Sequence, residues 1–521
     1  MATKHPEKWE YGDFQTPDAL ARAVVGRLAK NHGIAPRTII EPTCGEGAFV
    51  RAALEEFPDA DVVAFDINGQ YVKAAREQCH STGAGGSIYI KQADFFSLDW
   101  DEILSNIAPP ILVLGNPPWV TSSELSALNS KNLPAKSNFQ GRRGIEAITG
   151  AANFDISEWM LLRHVRWLSR VEGTIALLCK YSVARKVMRQ IQQNQEQRLF
   201  GHIYFIDAKR HFGASVAACL FVLTTDRGNA DCEVYDDMEA ASPAHVIGGR
   251  DGLLVKDVDS YAKWRHLRGQ DSRHIWRSGM KHDCSKVMEL EPLGNGMYRN
   301  GLHEDVRIEL HYLFPLLKSS DIGNSRIKTY RKVVLVPQRK AGEDTSSIQS
   351  AAPKTWDYLQ AHDELLAGRK SSIYKNKPAY SVFGIGDYSF KPWKVAISGF
   401  YKHLKFHLVG PMENKPVIFD DTISFLGFDT KAEAQFIHDL LASEPAHQFL
   451  ASMIFWDEKR PITTTILRRL CLKSLSIEVG RSAEYLRWCK GSSIGENGQQ
   501  LLAIGEQRAP FSTHGSLTDH A

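Results

Sequence analysis

The sequence predicts an α/β protein: a doubly wound, mainly parallel sheet in the first half, followed by a mixed α/β domain. Three observations carry that prediction. Short apolar runs of strand length alternate with amphipathic helical patterns through about residue 225. Several of the runs end in an acid, a glycine turn or a polar loop, at the edge where open α/β sheets gather their binding groups. After about residue 245 the alternation stops, and basic and aromatic residues interleave instead.

Composition bounds the rest. The chain has 521 residues, 43% hydrophobic and 24% charged. That is enough core for roughly two to four domains, and the boundaries expected are 1–245, 246–480 and 481–521, the last a helix with a loose polar tail from about Gly491. A net charge of +3 excludes a uniformly basic protein, so a nucleic-acid surface must be a local patch. The eight cysteines form no CxxC and lie near no paired histidines, which predicts reduced thiols in a cytoplasmic protein and no metal site. The first residues lack an apolar signal core, and no run approaches about 18 apolar residues, so no membrane span is expected.

In chain order, Thr16-Pro17 reads as a helix start, a hydroxyl cap then Pro in the first turn, before Leu20, Ala21, Val24, Val25 and Leu28. Thr38-Ile39-Ile40-Glu41 is a short strand. Pro42-Thr43-Cys44-Gly45-Glu46-Gly47 is a glycine turn that lets backbone approach a ligand, and a helix follows with Phe49, Val50, Ala53 and Leu54. The acid before those glycines argues against a pyrophosphate there. A second strand, Val62 to Asp66, ends in an acid about 20 residues after the glycines, where a carboxylate can accept two ribose hydroxyls. A third, Ser87 to Ile90, precedes Asp94-Phe95, an acceptor for an exocyclic amine beside a ring-covering aromatic; a loop acid and a core aromatic would look the same.

The fourth strand, Ile111 to Leu114, leads through Gly115 into Asn116-Pro117-Pro118-Trp119. An amide, a carbonyl in proline-stiffened backbone and a flat ring could hold a planar heterocycle bearing an exocyclic amine; a Pro-Pro turn is the plain alternative. Asp155 and Glu158 have capping-box spacing before an amphipathic helix with Ile156, Trp159, Leu162, Val165 and Leu168. Strands at Thr174 to Leu178, Ile203 to Asp207 and Ala217 to Leu223 complete seven, with Phe212 exposed before the last. The polar insertion 121–150, with Arg142 and Arg143, is either disordered or a lid.

The order of these features resembles the class I S-adenosylmethionine-dependent methyltransferases, and more narrowly the gamma-class adenine-N6 DNA methyltransferases of restriction–modification systems, over about residues 11–225. The resemblance implies a seven-stranded class I sheet followed by a DNA target-recognition domain. It implies S-adenosylmethionine held by Thr16, Glu41, Pro42, Cys44, Gly45, Gly47, Asp66, Asp94 and Phe95. It implies catalysis by Asn116, Pro117, Pro118 and Trp119, with Trp119 and Phe212 stacking on a flipped base. The family usually has Pro where Cys179-Lys180-Tyr181 stands, so contacts from that loop do not carry over.

Residues 301–410 hold 17 Lys/Arg against 10 Asp/Glu. Arg339, Lys340, Arg369, Lys370, Lys375, Lys391 and Lys394, with Arg142 and Arg143, are the expected contacts to double-stranded DNA. A monomer that modifies each strand separately is expected, with a cognate restriction endonuclease as a candidate companion. The rivals are N4-cytosine, RNA adenine or protein glutamine as the methyl acceptor, a non-catalytic DNA-binding protein, and a fused nuclease using Asp421, Asp457 and Lys459 with Mg²⁺.

Overall fold

The computed structural model describes residues 14–79, 85–121, 155–194, 198–225 and 230–490. Arg142 and Arg143 lie outside the described residues. The first domain is built on β1 (Thr38–Glu41), β2 (Asp61–Asp66), β3 (Ile88–Gln92), β4 (Ile111–Gly115), β5 (Gly173–Lys180), β6 (Phe200–Ile206) and β7 (Ala218–Thr224). They stand in the order β3-β2-β1-β4-β5-β7-β6. Pairing is parallel from β3 across to β5, and β7 is inserted antiparallel between β5 and β6. This is the class I methyltransferase sheet that the family resemblance implies. The strands form because β4 and β7 are nearly continuous apolar runs buried along their length, and β1 and β5 are apolar at their centres, as a sheet covered on both faces requires.

The sheet does not stop at seven strands. β8 (Cys232–Tyr235), β9 (His245–Arg250) and β10 (Leu253–Val255) extend it past β6 to ten. The sequence does not announce them, because each is short and the stretch around Asp236 to Pro243 reads as loop.

Helices cover both faces. On one face, α1 (Asp18–His32), α2 (Ala48–Glu56) and α3 (Gly69–Cys79) share an apolar cluster with Ile39, Val62, Leu112 and Leu114. On the other, α4 (Trp100–Ser105), α5 (Ile156–Leu168) and α6 (Tyr181–Gln193) pack with Ile40, Val113, Ile175 and Phe221. Two sequence readings of caps are corrected. The cap position of α1 is Pro17, without a side-chain hydrogen bond; the Thr16 hydroxyl is engaged elsewhere, as described below. At α5, Asp155 does cap, accepting from the Ser157 amide, but Glu158 turns away to Lys186 at 2.7 Å.

The second half holds two further sheets. One is antiparallel, in the order Arg277–Ser278, Ile423–Phe428, Trp393–Ser398 and His407–Val409. The other has six strands, with Glu289–Gly294, Lys332–Leu335 and Leu313–Leu317 at its centre. Helices Lys431–Leu441 and Glu444–Ala451 close a third apolar cluster, which also takes Val255 from the end of β10 and Tyr261 from the helix after it. Among the described residues no helix is long and apolar enough to cross a membrane.

The halves meet at Arg185 on α6. Its side chain is 4% exposed and donates to Asp457 at 2.5 Å and to Glu458 at 2.9 Å. The guanidinium also lies 4.5 Å from the centroid of Phe455, a ring that joins the first domain's core. Removing one partner of a buried ion pair leaves the others desolvated and unpaired. Arg185→Met should therefore cost about 3 kcal/mol, the low end of that effect because both acids keep some solvent. A lowered urea midpoint followed by tryptophan fluorescence is the expected outcome; an unchanged midpoint would show that the halves dock without this pair.

Candidate active site

The carboxyl edge of β1, β2 and β4 opens into a cleft. Its lining includes Thr16, Glu41, Pro42, Cys44, Gly45, Asp66, Asp94, Phe95, Asn116 and Pro118. Residues far apart in sequence thus meet at the strand edge where their motifs predict a site. Gly47 is absent from that lining.

The turn after β1 is tied to the end of β2. The Cys44 amide donates to the Phe65 carbonyl at 2.8 Å, and the Gly45 amide to Asp66 Oδ2 at 2.8 Å. Asp66 Oδ1 takes the Asn68 amide at 2.8 Å, so this carboxylate first organises its own turn. Gly45 has φ +52°, and a Cβ there would come within 2.6 Å of Gln15 Oε1. Gly47, at φ +83°, is needed for a different close approach: a Cβ would stand 3.0 Å from that of Ala75. The second glycine therefore lets α2 settle on α3, which corrects its expected role beside a ligand.

Glu41 is the most unusual group. It is 2% exposed, and its Oε2 has no hydrogen-bond partner. Burial, and then the neighbouring Asp66 charge, push its carboxyl well above the usual range. Burial likewise raises the Cys44 thiol, so this cysteine stays protonated and unreactive. Glu41, Asp66 and Asp94 give the cleft three carboxylates, and its described lining contains no Lys, Arg or His. Such a cleft suits a cationic ligand and opposes a phosphate. One Asp94 oxygen accepts from the Phe96 amide at 3.0 Å. Phe95 is buried among Trp100, Trp159 and His164, while Phe96 is less buried and also lines the cleft.

Asn116 projects from the end of β4. Its Nδ2 donates to the Phe14 carbonyl at 3.0 Å and to Thr16 Oγ1 at 3.3 Å. A carbonyl can only accept, so the amide cannot be turned over without losing that bond. Its Oδ1 is left buried and without a partner. Trp119 is 5% exposed and donates from Nε1 to the Leu178 carbonyl at 3.3 Å. Its ring meets Phe14 at 5.7 Å and Phe212 at 5.2 Å, the latter at 72°. Phe212 thus stands edge-on beside Trp119; it is not a second parallel face across a gap, which corrects its expected role in stacking.

The expected DNA contacts divide. Arg339, Lys340, Lys370 and Lys375 are exposed. Lys394 is corrected: it points into the core from a central strand, 1% exposed, and donates to the Lys391 carbonyl at 2.6 Å. Burial lowers its pKa to about 7. Arg369 is also spent internally, on the carbonyls of Leu366 and Ser381 and over the Tyr374 ring at 3.8 Å. Lys391 pairs with Asp429 at 2.6 Å. The nuclease reading is corrected too. Asp457 serves Arg185, and Asp421 lies 3.6 Å from Arg460. Among the described residues no group of three or more His, Cys, Asp or Glu is placed to hold a metal.

Sequence reasoning missed Phe14, Gln15, Tyr71, Ile156 and Met160, which also line the cleft. The last two are four apart on α5, a helix-face spacing that could have been noticed.

No family model matches the chain. It is 43% identical over 472 residues to the type II methyltransferase M.NspV of a Nostoc species, spanning 90% of this chain and 98% of that one. A shorter match, 28% identical over 115 residues, is to the type II methyltransferase M.CvrRI of Paramecium bursaria Chlorella virus XZ-6E; it covers 22% of this chain and 26% of that protein. Among solved structures, the type IIL restriction–modification enzyme MmeI in complex with DNA superposes with a TM-score of 0.50 at 12% identity, over 92% of this chain and 68% of that one. At that identity the likeness speaks for the fold. The sheet order, the anionic cleft and the near full-length relative agree: the chain belongs to the type II methyltransferases, and its cofactor is S-adenosylmethionine.

Proposed function

We propose that this protein is a site-specific DNA methyltransferase acting on the N6 amino group of an adenine turned out of duplex DNA, as the modification component of a restriction–modification system. The observation that carries the reading is the fixed amide of Asn116. Its nitrogen is occupied by Phe14 and Thr16, and its oxygen is left as a buried acceptor without a partner. An exocyclic amine has two hydrogens to give. Asn116 Oδ1 takes one, and the Pro117 carbonyl, in backbone stiffened by two prolines, takes the other.

The amine of adenine is a poor nucleophile because its lone pair is delocalised into the ring. Two fixed acceptors draw the nitrogen toward tetrahedral geometry and localise that pair. The cofactor, when bound, supplies an electrophilic sulfonium methyl. Glu41 holds the ammonium of its amino-acid end, Asp66 its ribose hydroxyls and Asp94 its adenine amine. Asp66 takes the Gly45 amide on one oxygen and the Asn68 amide on the other, each at 2.8 Å, and Asp94 takes the Phe96 amide on one oxygen at 3.0 Å, which fixes both carboxylates in the cleft. No residue need act as a base before transfer, since the alkylated nitrogen is strongly acidic. A base buried in a duplex must leave the stack to reach this cleft. The protein acts as a monomer on each strand in turn.

The test is transfer from tritiated S-adenosylmethionine to unmethylated duplex DNA, followed by nucleoside digestion and chromatography. Label is expected in N6-methyldeoxyadenosine. Label in N4-methyldeoxycytidine would overturn the base, and none in DNA would overturn the polymer. In the same assay Asn116→Ala should lose about 10²–10³-fold in rate, as when a group that stabilises the transition state is deleted, while keeping its cofactor affinity. A near-normal rate would remove Asn116 from the chemistry.

Glu41→Gln should weaken cofactor binding about 10- to 100-fold, the worth of one charge-assisted hydrogen bond, by titration calorimetry. The pH dependence follows from its raised pKa. The cofactor-free protein loses this group's stability as pH rises through that value, and a bound ammonium returns it. The thermal shift given by cofactor should grow across that window in the wild type and stay flat in Glu41→Gln.

Arg339, Lys340, Lys370 and Lys375 are the exposed cations that we assign to DNA phosphates. Replacing the three lysines by Ala should lower the slope of log affinity against log salt by about 3, at roughly 0.9 for each phosphate no longer neutralised. An unchanged slope would place the DNA on another face.

A further inference from the structure

Lys180, the last residue of β5, stands where the family resemblance leaves no role. Its Nζ donates to the Trp119 carbonyl at 2.8 Å and to Asp155 Oδ2 at 2.7 Å. The side chain is 22% exposed, and that of Asp155 is 6% exposed. Asp155 is fixed in turn: its Oδ1 accepts from the Ser157 amide at 3.1 Å and from the Ser157 hydroxyl at 2.5 Å. A single ammonium thus links the cap of α5, the end of β5 and the backbone of the loop that carries Asn116.

That loop has few other anchors. Beyond Gly115 it leaves its pairing with β5. Pro117 and Pro118 have no N–H to give. Asn116 is held through its side chain and Trp119 through its indole. Further on, Val120 accepts from the Ile156 amide at 2.9 Å, and Thr121 bridges Asp155. Between Gly115 and Val120, Lys180 is, among the described residues, the group from another element that grips the backbone. The two prolines make the segment stiff, so fixing the Trp119 carbonyl fixes the pitch of the whole tetrapeptide.

We propose that Lys180 is a positioning residue of the methyl-transfer site: through the Trp119 carbonyl it sets the loop so that Asn116 Oδ1 and the Pro117 carbonyl converge on one amine. This rests on the amino-methylation reading above. Lys180 touches neither the amine nor the cofactor, and its absence is felt as misplacement of the acceptors.

The test is single-turnover transfer to unmethylated phage DNA, expressed per cofactor-binding site, in Lys180→Met and in Lys180→Met/Asp155→Asn. Asn is a good cap, so the double variant keeps the start of α5 and leaves no buried charge unpaired. Both variants should lose on the order of 10²-fold in rate, as a misplaced reacting group does, with cofactor Kd within about twofold of wild type. Lys180→Arg, which keeps a cation and donors, should recover part of the rate. The double variant should regain the thermal stability lost by Lys180→Met without regaining its rate. A purely structural ion pair predicts the reverse, rate returning with stability, and that result overturns the proposal. So does a double variant that no longer binds cofactor, because Lys180 would then belong to the fold and not to the loop. If wild-type label sits on cytosine, the adenine reading fails alone, since the rate ratios are taken on one substrate and still judge Lys180.

Discussion

The bond from Asn116 Nδ2 to the Phe14 carbonyl spans 102 residues of sequence, and the geometry of the cleft hangs on it. It needs the segment before α1 to run across the end of β4. That path is set by α1 burying Leu20, Ala21, Val24, Val25 and Leu28 against the sheet. The sheet order β1-β4-β5 then places three strand ends side by side at one edge. An amide that could rotate would offer its nitrogen as often as its oxygen, and a nitrogen donor facing an amine is useless. The fold therefore spends a carbonyl and a hydroxyl on an orientation.

A second constraint is electrostatic. Three carboxylates in one cleft repel each other, and Glu41 is buried with no protein partner on one oxygen. A protein selected only for stability would replace Glu41 with an apolar or neutral residue. Holding it there makes the free protein less stable and the cationic complex more so. This is how a small ligand carrying a sulfonium and an ammonium is chosen over the far commoner phosphate-bearing nucleotides.

Much of the catalytic half is legible in the sequence, because buried parallel strands are near-continuous apolar runs and their ends carry the polar groups. Where the reading fails, the cause is a competing tertiary demand. Thr16 looks like a cap from its neighbours alone, yet Asn116, a hundred residues away, claims its hydroxyl. Lys394 sits in a run that reads as a basic loop, but its strand lies at the centre of a sheet, and alternation turns the ammonium inward. Gly47 reads as the ligand's glycine, and the packing of two helices uses it instead. Asp457 joins the two halves through Arg185, a partnership 272 residues long that no local pattern reveals. Lys180 is the sharpest case: the departure from the family pattern is visible in the sequence, and its partners are not.

The chain leaves the catalytic loop at Thr121 and comes back at Asp155, and those two residues are paired. Whatever lies between them enters and exits through one doorway. The sheet neither measures nor depends on its length, and closing a longer excursion adds only about 0.6 kcal/mol for each doubling. This is a place where related chains are free to gain, shed or exchange sequence next to the chemistry while the acceptors stay where they are.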